Sequence, residues 1–375
     1  MSPRRRVAVL FGGRSAEHEI SCLSARSVID ALDPARNEVV SIGITREGRW
    51  HVLPGPPALP ADGGQLPRVT AEAGTAVELA AEGAASELVF ADGSRAPIDV
   101  VFPLLHGPFG EDGVVQGLLE LAGVPYVGAG VLGSALGMDK AVQKVVLAGA
   151  GLPVLPAEIV REPEWTEDAE GVRTRIGALG YPVFVKPATL GSSVGITKSH
   201  DADELDRCVD EAFAYARKIV VEPAVSPVRE IECAVLGNDD PVASVAGEIV
   251  PEGHEFYDYT AKYLDADGAR LLIPADLAPD VLSRVQRLAV GAFRALECAG
   301  MARVDFFLGD EELWVNEINT IPGFTSISMY PKLWDASGLP FGDLVERLLD
   351  LAIERHDLER AKRLHARELG SDASG

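Results

Sequence analysis

Met301-Ala-Arg-Val-Asp-Phe-Phe-Leu308 and Leu313-Trp-Val-Asn-Glu-Ile-Asn-Thr-Ile-Pro-Gly323 flank a short Gly-Asp-Glu-Glu turn near the C-terminus. Their apolar residues and the turn between them predict a β-hairpin. Because side chains alternate across a strand, Arg303 and Asp305 share one face, and Glu317 and Asn319 share one face of the next strand. The two polar faces can therefore meet.

This polar face admits two interpretations. Asp305, Glu317 and Asn319 provide hard oxygen ligands, and carboxylates gathered in this way repel each other unless a cation lies among them. Mg²⁺, which proteins bind through carboxylates and substrate phosphates, suits such a site. The alternative is a salt-bridge network around Arg303 with no metal, because structural ion pairs also gather acids and bases.

Composition restricts the class of protein. The chain has 375 residues, enough for about two or three domains. Its net charge of −23 argues against nucleic acid or a membrane as partner. No apolar run is long enough for a signal peptide or a membrane span. The cysteines form no C-x-x-C pair, which favours buried thiols in a cytosolic protein. They are Cys22, Cys208, Cys233 and Cys298.

Alternating strands and helices in the first third predict a parallel α/β sheet. Residues 51–97 are rich in Pro, Gly and Ala, and we expect irregular hairpins there. Further helices are predicted at 138–150, 201–216, 279–296 and 342–355, with a charged tail that frays after residue 355.

A loop of small residues, Gly191-Ser192-Ser193-Val194-Gly195, follows Lys186 closely. Small residues allow backbone N–H groups to approach an anion, and hydroxyl groups add donors. This is not the Walker pattern, since the lysine precedes the loop. A tight turn and a lysine that reaches solvent would explain the same residues.

Other segments become informative only in combination. An aromatic stretch at 255–264 suggests a loop over a site. Gly323 permits close backbone approach, and the serines after it suit an anion. Glu222, Glu230 and Glu232 are solvated charges unless a nucleotide needs acceptors for its amine and ribose hydroxyls.

Together these segments resemble the ATP-grasp enzymes and, within them, the D-alanine–D-alanine ligases. The resemblance extends from Val7 to about Leu351. It rests on these motifs: Phe11-Gly-Gly-Arg-Ser-Ala-Glu17-His-Glu-Ile-Ser, Leu105-His106-Gly-Pro-Phe-Gly-Glu-Asp-Gly, Gly137-Met-Asp-Lys140, Val185-Lys186-Pro, Gly191-Ser192-Ser193-Val-Gly, Phe256-Tyr-Asp-Tyr-Thr-Ala-Lys262-Tyr263, Arg303-Val-Asp305 and Asn316-Glu317-Ile-Asn319-Thr-Ile-Pro-Gly323-Phe-Thr-Ser.

The resemblance implies a three-part α/β architecture of the ATP-grasp fold. Residues 1–139 would form the N-terminal parallel α/β domain and 140–226 the central subdomain. Residues 227–355 would form the C-terminal subdomain with the metal site, and 356–375 a charged tail. It also implies a reaction: ATP phosphorylates the carboxylate of one D-alanine, and the amine of a second D-alanine attacks the acyl phosphate. The product would serve peptidoglycan synthesis in the cytoplasm, and a homodimer is expected.

The resemblance assigns roles around ATP. Two Mg²⁺ ions, or Mn²⁺, would be held by Asp305, Glu317 and Asn319. The phosphates would contact Lys140, Lys186, Lys262 and the loop at Ser193. Glu222 would face the adenine amine. The stretch 222–230 is one residue longer than in relatives, which leaves the ribose role between Glu230 and Glu232. Glu230 is favoured because Arg229-Glu-Ile-Glu matches the family best.

It also assigns roles around the amino acids. Glu17 would bind the ammonium group of the first D-alanine, held in place by Ser192 and Tyr263, and His106 would lie near its carboxylate. Arg303 and the N–H of Gly323 would stabilise the oxyanion. Ser328 and the backbone of Met329 would hold the second carboxylate.

Two rival functions remain. One is another ATP-grasp ligase with a different carboxylate and amine, against which the Glu17 and Tyr263 motifs argue. The other is a catalytically silent nucleotide-binding protein, against which the complete ligand set argues. Lys262-Tyr263 matches the dipeptide-forming branch rather than ligases that use D-lactate, so we expect an amine nucleophile. Some use of D-serine or D-lactate stays open.

Overall fold

The computed structural model describes residues 4–58, 66–80, 87–191, 193–251, 269–310 and 312–372. Three β-sheets with helices packed on them make up this part of the chain. Ser192 of the small-residue loop lies outside the described residues, and so does the predicted aromatic loop with Lys262 and Tyr263.

The first sheet is parallel at one end and antiparallel towards the other. β1 pairs in parallel with β2 and β7, and β3 to β6 continue antiparallel in the order β6-β5-β4-β3-β2-β1-β7. The predicted parallel sheet is therefore present only at β2-β1-β7, and the segment expected to form irregular hairpins extends the same sheet. The strands are β1 Arg5–Gly12, β2 Asn37–Ile44, β3 Trp50–Leu53, β4 Thr75–Leu79, β5 Glu87–Phe90, β6 Arg95–Pro97 and β7 Val100–Pro103.

The helices of this first part are α1 His18–Ala31, α2 Val114–Ala122 and α3 Val131–Met138. The sequence did not predict α3, since glycines at two of its positions lower helix propensity. Tertiary packing explains them: a Cβ on Gly133 would lie 2.4 Å from the carbonyl oxygen of Glu297, and one on Gly137 2.6 Å from Thr320. Close packing thus overrides local propensity at α3.

The second sheet is antiparallel, with the order β10-β9-β11-β8. The predicted helix 201–216 is present, and Asp201 caps it by accepting from the backbone N–H groups of Asp203 and Glu204. The elements are α4 Lys140–Gly149, β8 Glu158–Arg161, α5 Glu162–Glu167, α6 Ala169–Gly177, β9 Val183–Pro187, β10 Thr197–Ser199, α7 Ala202–Phe213 and β11 Lys218–Pro223.

The third sheet has the order β14-β13-β12-β15-β16 and is also antiparallel. Its last two strands are the hairpin predicted from the sequence, and the register places Asp305 opposite Glu317 and Arg303 opposite Asn319. The elements are β12 Arg229–Gly237, β13 Val242–Pro251, β14 Ala269–Leu272, α8 Pro279–Ala295, β15 Gly300–Leu308, β16 Leu313–Asn319, α9 Met329–Ala336 and α10 Phe341–Asp372.

Helix α10 is longer than the sequence predicted. It continues past residue 355 to Asp372, where we expected a fraying tail. The continuation is rich in Leu, Glu, Arg, Ala and Lys, which favour helix even when they are exposed.

The hydrophobic core joins the first and third sheets. Phe11 and Phe102 of the first sheet share one buried cluster with Phe324, Tyr330 and Leu348. The second sheet has a separate cluster around Val160, Leu205 and Ile219. The four cysteines are buried free thiols, as predicted, and burial raises the pKa of Cys22, Cys233 and Cys298 to about 12. No described helix has the length and apolar character needed to cross a bilayer.

Candidate active site

A cleft of about 1670 Å³ opens between the sheets. Elements of all three parts line it, and every predicted site residue that the structure describes contributes to its wall. These residues are Glu17, His106, Lys140, Lys186, Ser193, Glu222, Glu230, Arg303, Asp305, Glu317, Asn319, Gly323, Ser328 and Met329. Residues far apart in the chain thus face one space.

The polar face of the β15–β16 hairpin is an ion-pair network. Arg303 donates to both oxygens of Asp305, at 2.7 and 2.8 Å, and Asn319 Nδ2 donates to Asp305 Oδ2 at 2.9 Å. Glu232, opposite Asp305 on β12, lies 3.0 Å from Arg303 Nε. Burial disfavours the guanidinium charge, but Asp305 and Glu232 raise the pKa of Arg303 well above its ordinary value. The salt-bridge interpretation therefore describes the observed contacts.

The same face also fits a metal ion. Asp305 and Glu317 are directly opposed, and like charges at this position destabilise a sheet unless a cation offsets them. Arg303 offsets Asp305, while Lys140 Nζ lies 3.0 Å from Glu317 Oε2. Two carboxylates and an amide are a hard oxygen set suited to Mg²⁺. Among the described residues no group of three or more His, Cys, Asp or Glu could hold a metal, so substrate oxygens would have to complete the shell.

A second buried network lies where helix α4 packs against strand β11 of the second sheet, beside strand β9. Glu222 is only 2% exposed at the end of β11. Lys186 Nζ donates to its Oε2 at 2.5 Å, and Lys144 forms an ion pair with its Oε1. Burial opposes ionisation of Glu222, but the two lysines hold its pKa below the ordinary value. Burial also opposes the charge on Lys186, whose pKa Glu222 nevertheless raises.

Lys140 is the first residue of α4. Asp139 caps this helix by accepting from the N–H groups of Ala141 and Val142, which fixes the backbone beside the lysine. Lys140 Nζ also donates to the carbonyl oxygen of Leu190 at 2.9 Å, at the start of the small-residue loop. Lys140 thereby links the start of α4, the small-residue loop and Glu317 of the hairpin.

Glu17 lies between two glycine-containing loops just before α1. A Cβ on Gly107 would come within 3.0 Å of Glu17 Oε2, and one on Gly191 within 3.7 Å. The next residue, His18, is fully buried: its Nδ1 lies 2.7 Å from the Gly13 carbonyl oxygen, and its Nε2 accepts from the N–H of Val69 at 3.0 Å. The carboxylate therefore lies on a closely packed turn.

His106 is buried beside the same turn. Its Nε2 lies 3.2 Å from Ser24 Oγ, and its Nδ1 lies 3.8 Å from Glu111 Oε1. Burial opposes the charged imidazolium, but Glu111 and Glu17 raise the pKa of His106. Burial raises the pKa of Glu111, whose Oε1 also accepts from the N–H of Gly107 at 2.6 Å.

The segment after β16 presents backbone donors to the cleft. Ser328 is the residue before α9, so the first N–H groups of this helix, starting at Met329, lack intrahelical acceptors. Ser328 Oγ accepts from the N–H of Thr325 at 3.1 Å. A Cβ on Gly323 would lie 3.1 Å from that oxygen, so a side chain at Gly323 would crowd the turn. Donors in this arrangement suit a carboxylate.

Sequence reasoning overlooked several residues of these networks. It gave no role to Lys144, Glu111 or His18, and it did not pair Glu232 with Arg303. Lys144 follows Lys140 by one helical turn, and this spacing could have indicated that both face the same way. His18 and Glu111 lie inside quoted motifs, but their contacts depend on tertiary structure.

Two antiparallel sheets that enclose a cleft with lysines on one side and acids on the other form the ATP-grasp fold. Models of two domains match the chain: the one described as D-ala D-ala ligase N-terminus matches residues 6–129, and the one described as D-ala D-ala ligase C-terminus matches residues 146–350. The chain belongs to the D-alanine–D-alanine ligase family.

Individual relatives agree with this assignment. The D-alanine–D-alanine ligase of Kineococcus radiotolerans is 50% identical over 369 residues, covering 94% of this chain and 98% of the relative. That of Thermoanaerobacter sp. (strain X514) is 49% identical over 362 residues, with coverage of 94% and 98%.

Solved structures show the same architecture. The D-alanine-D-alanine ligase from Coxiella burnetii superposes with a TM-score of 0.85 at 38% identity, covering 98% of this chain and 99% of that one. The VanG D-Ala:D-Ser ligase from Enterococcus faecalis superposes with a TM-score of 0.81 at 34% identity, covering 93% of this chain and 100% of that one.

Proposed function

We propose that the protein joins two D-alanines into D-alanyl-D-alanine at the expense of ATP, through an acyl phosphate, for peptidoglycan synthesis. The observation that carries the proposal is the single cleft that brings Glu17, the Lys140–Glu317 pair and Arg303 together. A carboxylate and a triphosphate are both anions, so positioning and charge neutralisation should dominate catalysis.

ATP would lie between the second and third sheets. Lys140, Lys186 and the loop at Ser193 would contact phosphate oxygens, and Glu222 would accept from the adenine amine. For the ribose we favour Glu230 over Glu232, because Glu232 is already paired with Arg303 at 3.0 Å. Lys262 would add a further phosphate contact from a segment outside the described residues.

Asp305, Glu317 and Asn319 would hold two Mg²⁺ ions. Bound there, the ions would neutralise charge on the phosphates. Lys140 and Arg303, which offset the charges of Glu317 and Asp305 in this structure, would then be free for other contacts. Lys140 would contact a phosphate oxygen, and Arg303 would face the reacting carbonyl.

The first D-alanine would be bound through its ammonium group at Glu17, with His106 near its carboxylate. Ser192 and Tyr263 would hold Glu17. When the second amine attacks the acyl phosphate, negative charge develops on the carbonyl oxygen. The guanidinium of Arg303 and the N–H of Gly323 would stabilise that charge, and phosphate would leave with the oxygen that it took from the first carboxylate.

The second D-alanine would place its carboxylate against Ser328 and the first N–H groups of α9. A related solved structure is of a D-Ala:D-Ser ligase, so D-serine is the alternative nucleophile to examine. Lys262-Tyr263 matches the dipeptide-forming branch and so favours an amine over the hydroxyl of D-lactate. D-Alanine is favoured over D-serine because the D-alanine–D-alanine ligases of Thermoanaerobacter and Kineococcus are 49% and 50% identical to this chain, against 34% for the D-Ala:D-Ser ligase.

A homodimer and a cytoplasmic location complete the proposal. Neighbouring α2 and α3 expose large apolar side chains: Val114, Leu118, Leu121, Val131 and Leu132. A two-fold interface would cover these side chains, which a monomer leaves exposed to water. Free buried thiols suit a reducing compartment.

Phosphate release assayed with ATP, Mg²⁺ and a panel of D-amino acids tests the proposal. D-Alanine should give the highest rate. Glu317→Ala should abolish turnover, whereas Glu312→Ala, which removes an exposed acid from the same hairpin, should leave it intact. Higher turnover with another amino acid, or full activity in Glu317→Ala, would overturn the assignment.

A further inference from the structure

The Lys144–Glu222–Lys186 cluster has one cation more than its carboxylate needs. Glu222 is 2% exposed, and each of its oxygens is paired with a different lysine. Two ammonium groups and one carboxylate leave a net positive charge in a buried place. Glu317 acts on both lysines and Glu230 on Lys186, which offsets this charge in part, and an arriving anion would offset it further.

The two lysines differ in position. Lys186 and Glu222 both line the cleft, whereas Lys144 is not among the described residues that line it. Lys144 lies behind Glu222 on α4 and is 6% exposed. Burial and the nearby charge of Lys186 lower the pKa of Lys144, although Glu222 opposes this. It therefore contacts the carboxylate from the side that a nucleotide does not reach.

We propose that Lys144 is a positioning residue for nucleotide recognition: it remains the counter-ion of Glu222 when Lys186 turns towards a phosphate. This inference rests on the proposed function. With Lys144 in place, Glu222 stays ionised and oriented to accept from the exocyclic amine of adenine, and Lys186 is released for the phosphate. Without Lys144, Glu222 keeps Lys186 as its counter-ion. The contact of Glu222 with the adenine amine then competes with the contact of Lys186 with the phosphate.

The test is direct binding of Mg²⁺-ATP and of inosine triphosphate, which lacks the exocyclic amine, by calorimetry without amino acids. Lys144→Met should weaken ATP binding by about 10- to 100-fold, the effect of losing one hydrogen bond to a charged group. Binding of inosine triphosphate should weaken less, so the preference for ATP falls. Lys144→Arg should restore part of that preference.

A matched control removes another lysine of the same region. Lys218 on β11 pairs with Asp139 and does not contact Glu222, so Lys218→Met should leave the ratio of ATP to inosine triphosphate affinities unchanged. Equal weakening of both nucleotides by Lys144→Met would overturn the inference and indicate a purely structural role.

A double variant keeps the test valid if Lys144→Met does not fold. Glu222→Gln with Lys144→Met removes both charges, and its nucleotide preference should equal that of Glu222→Gln alone. A further loss in the double variant would overturn the inference. Dipeptide formation by the wild-type protein is measured separately, so failure of the proposed function is distinguishable from failure of this role for Lys144.

Discussion

Replacing Arg303 with Met should reveal how the polar face of the β15–β16 hairpin is held together. The substitution removes hydrogen bonds of 2.7 and 2.8 Å to Asp305 and a contact of 3.0 Å to Glu232. Each bond to a charged group contributes about 1.5–3 kcal/mol, but desolvation offsets part of the sum. Breaking a buried pair typically costs about 3–5 kcal/mol, so the free energy of unfolding should fall by that amount.

Arg229→Met is the matched control. Arg229 on β12 makes the same two-pronged contact with Glu248, at 2.8 and 2.6 Å, but its side chain is 40% exposed against 18% for Arg303. An exposed pair contributes about 0–1 kcal/mol, but Glu248 is only 9% exposed, so this variant should lose more than that and still less than Arg303→Met. Both variants are compared with the wild type in urea unfolding.

Magnesium gives the experiment its second measurement. In Arg303→Met the acids Asp305, Glu232 and Glu317 have lost a largely buried cation, and Mg²⁺ at millimolar concentration should restore part of the lost stability. The same Mg²⁺ should affect Arg229→Met no more than the wild type. Equal losses in the two arginine variants, or no extra response to Mg²⁺ in Arg303→Met, would refute the reasoning.

Three further predictions concern other parts of the structure. Asp139→Ala removes the cap of α4 and should lower the free energy of unfolding by about 1–2 kcal/mol in urea; an unchanged midpoint would contradict the cap. Glu111→Gln should lower the pKa of His106, measured by NMR titration of its ring, because Glu111 raises that pKa against the effect of burial; an unchanged or higher pKa would exclude Glu111 as the cause. Leu121→Asp should turn a dimer into a monomer in light scattering without loss of fold, since Leu121 is 80% exposed; a dimer that persists, or a wild type that is monomeric, would place the interface elsewhere or remove it.

Period-two alternation explains why the sequence predicted the hairpin, with Arg303 and Asp305 on one face of the first strand and Glu317 and Asn319 on one face of the second. The register itself was not predicted: a shift in the pairing between Asp305 and Phe306 places Asp305 opposite Glu317, and regular alternation does not reveal such a shift. The helix capped by Asp201 was also predicted, because its start signal lies within a few residues.

What the sequence did not predict depends on contacts between distant segments. Helix α3 contains glycines that local propensity disfavours, yet they allow close packing against Glu297 and Thr320. The antiparallel extension of the first sheet lacked a clear period in sequence. Lys144 could not be paired with Glu222 from sequence alone, because the two residues are brought together only when α4 packs on β11.

The length of α10 was mispredicted for a different reason. Charged residues after residue 355 suggested a fraying tail, but most of them are good helix formers, and a helix that is already nucleated continues through such residues. The error came from treating charge as a sign of disorder without weighing propensity.

Isotope transfer tests the central claim, ligation through an acyl phosphate, most directly. D-Alanine labelled with ¹⁸O in its carboxylate is incubated with ATP, Mg²⁺ and the protein. The masses of the dipeptide and of the inorganic phosphate are then measured by mass spectrometry. The account predicts D-alanyl-D-alanine together with inorganic phosphate that carries one ¹⁸O atom for each dipeptide formed. Dipeptide accompanied by unlabelled phosphate, or phosphate release without dipeptide, would contradict it.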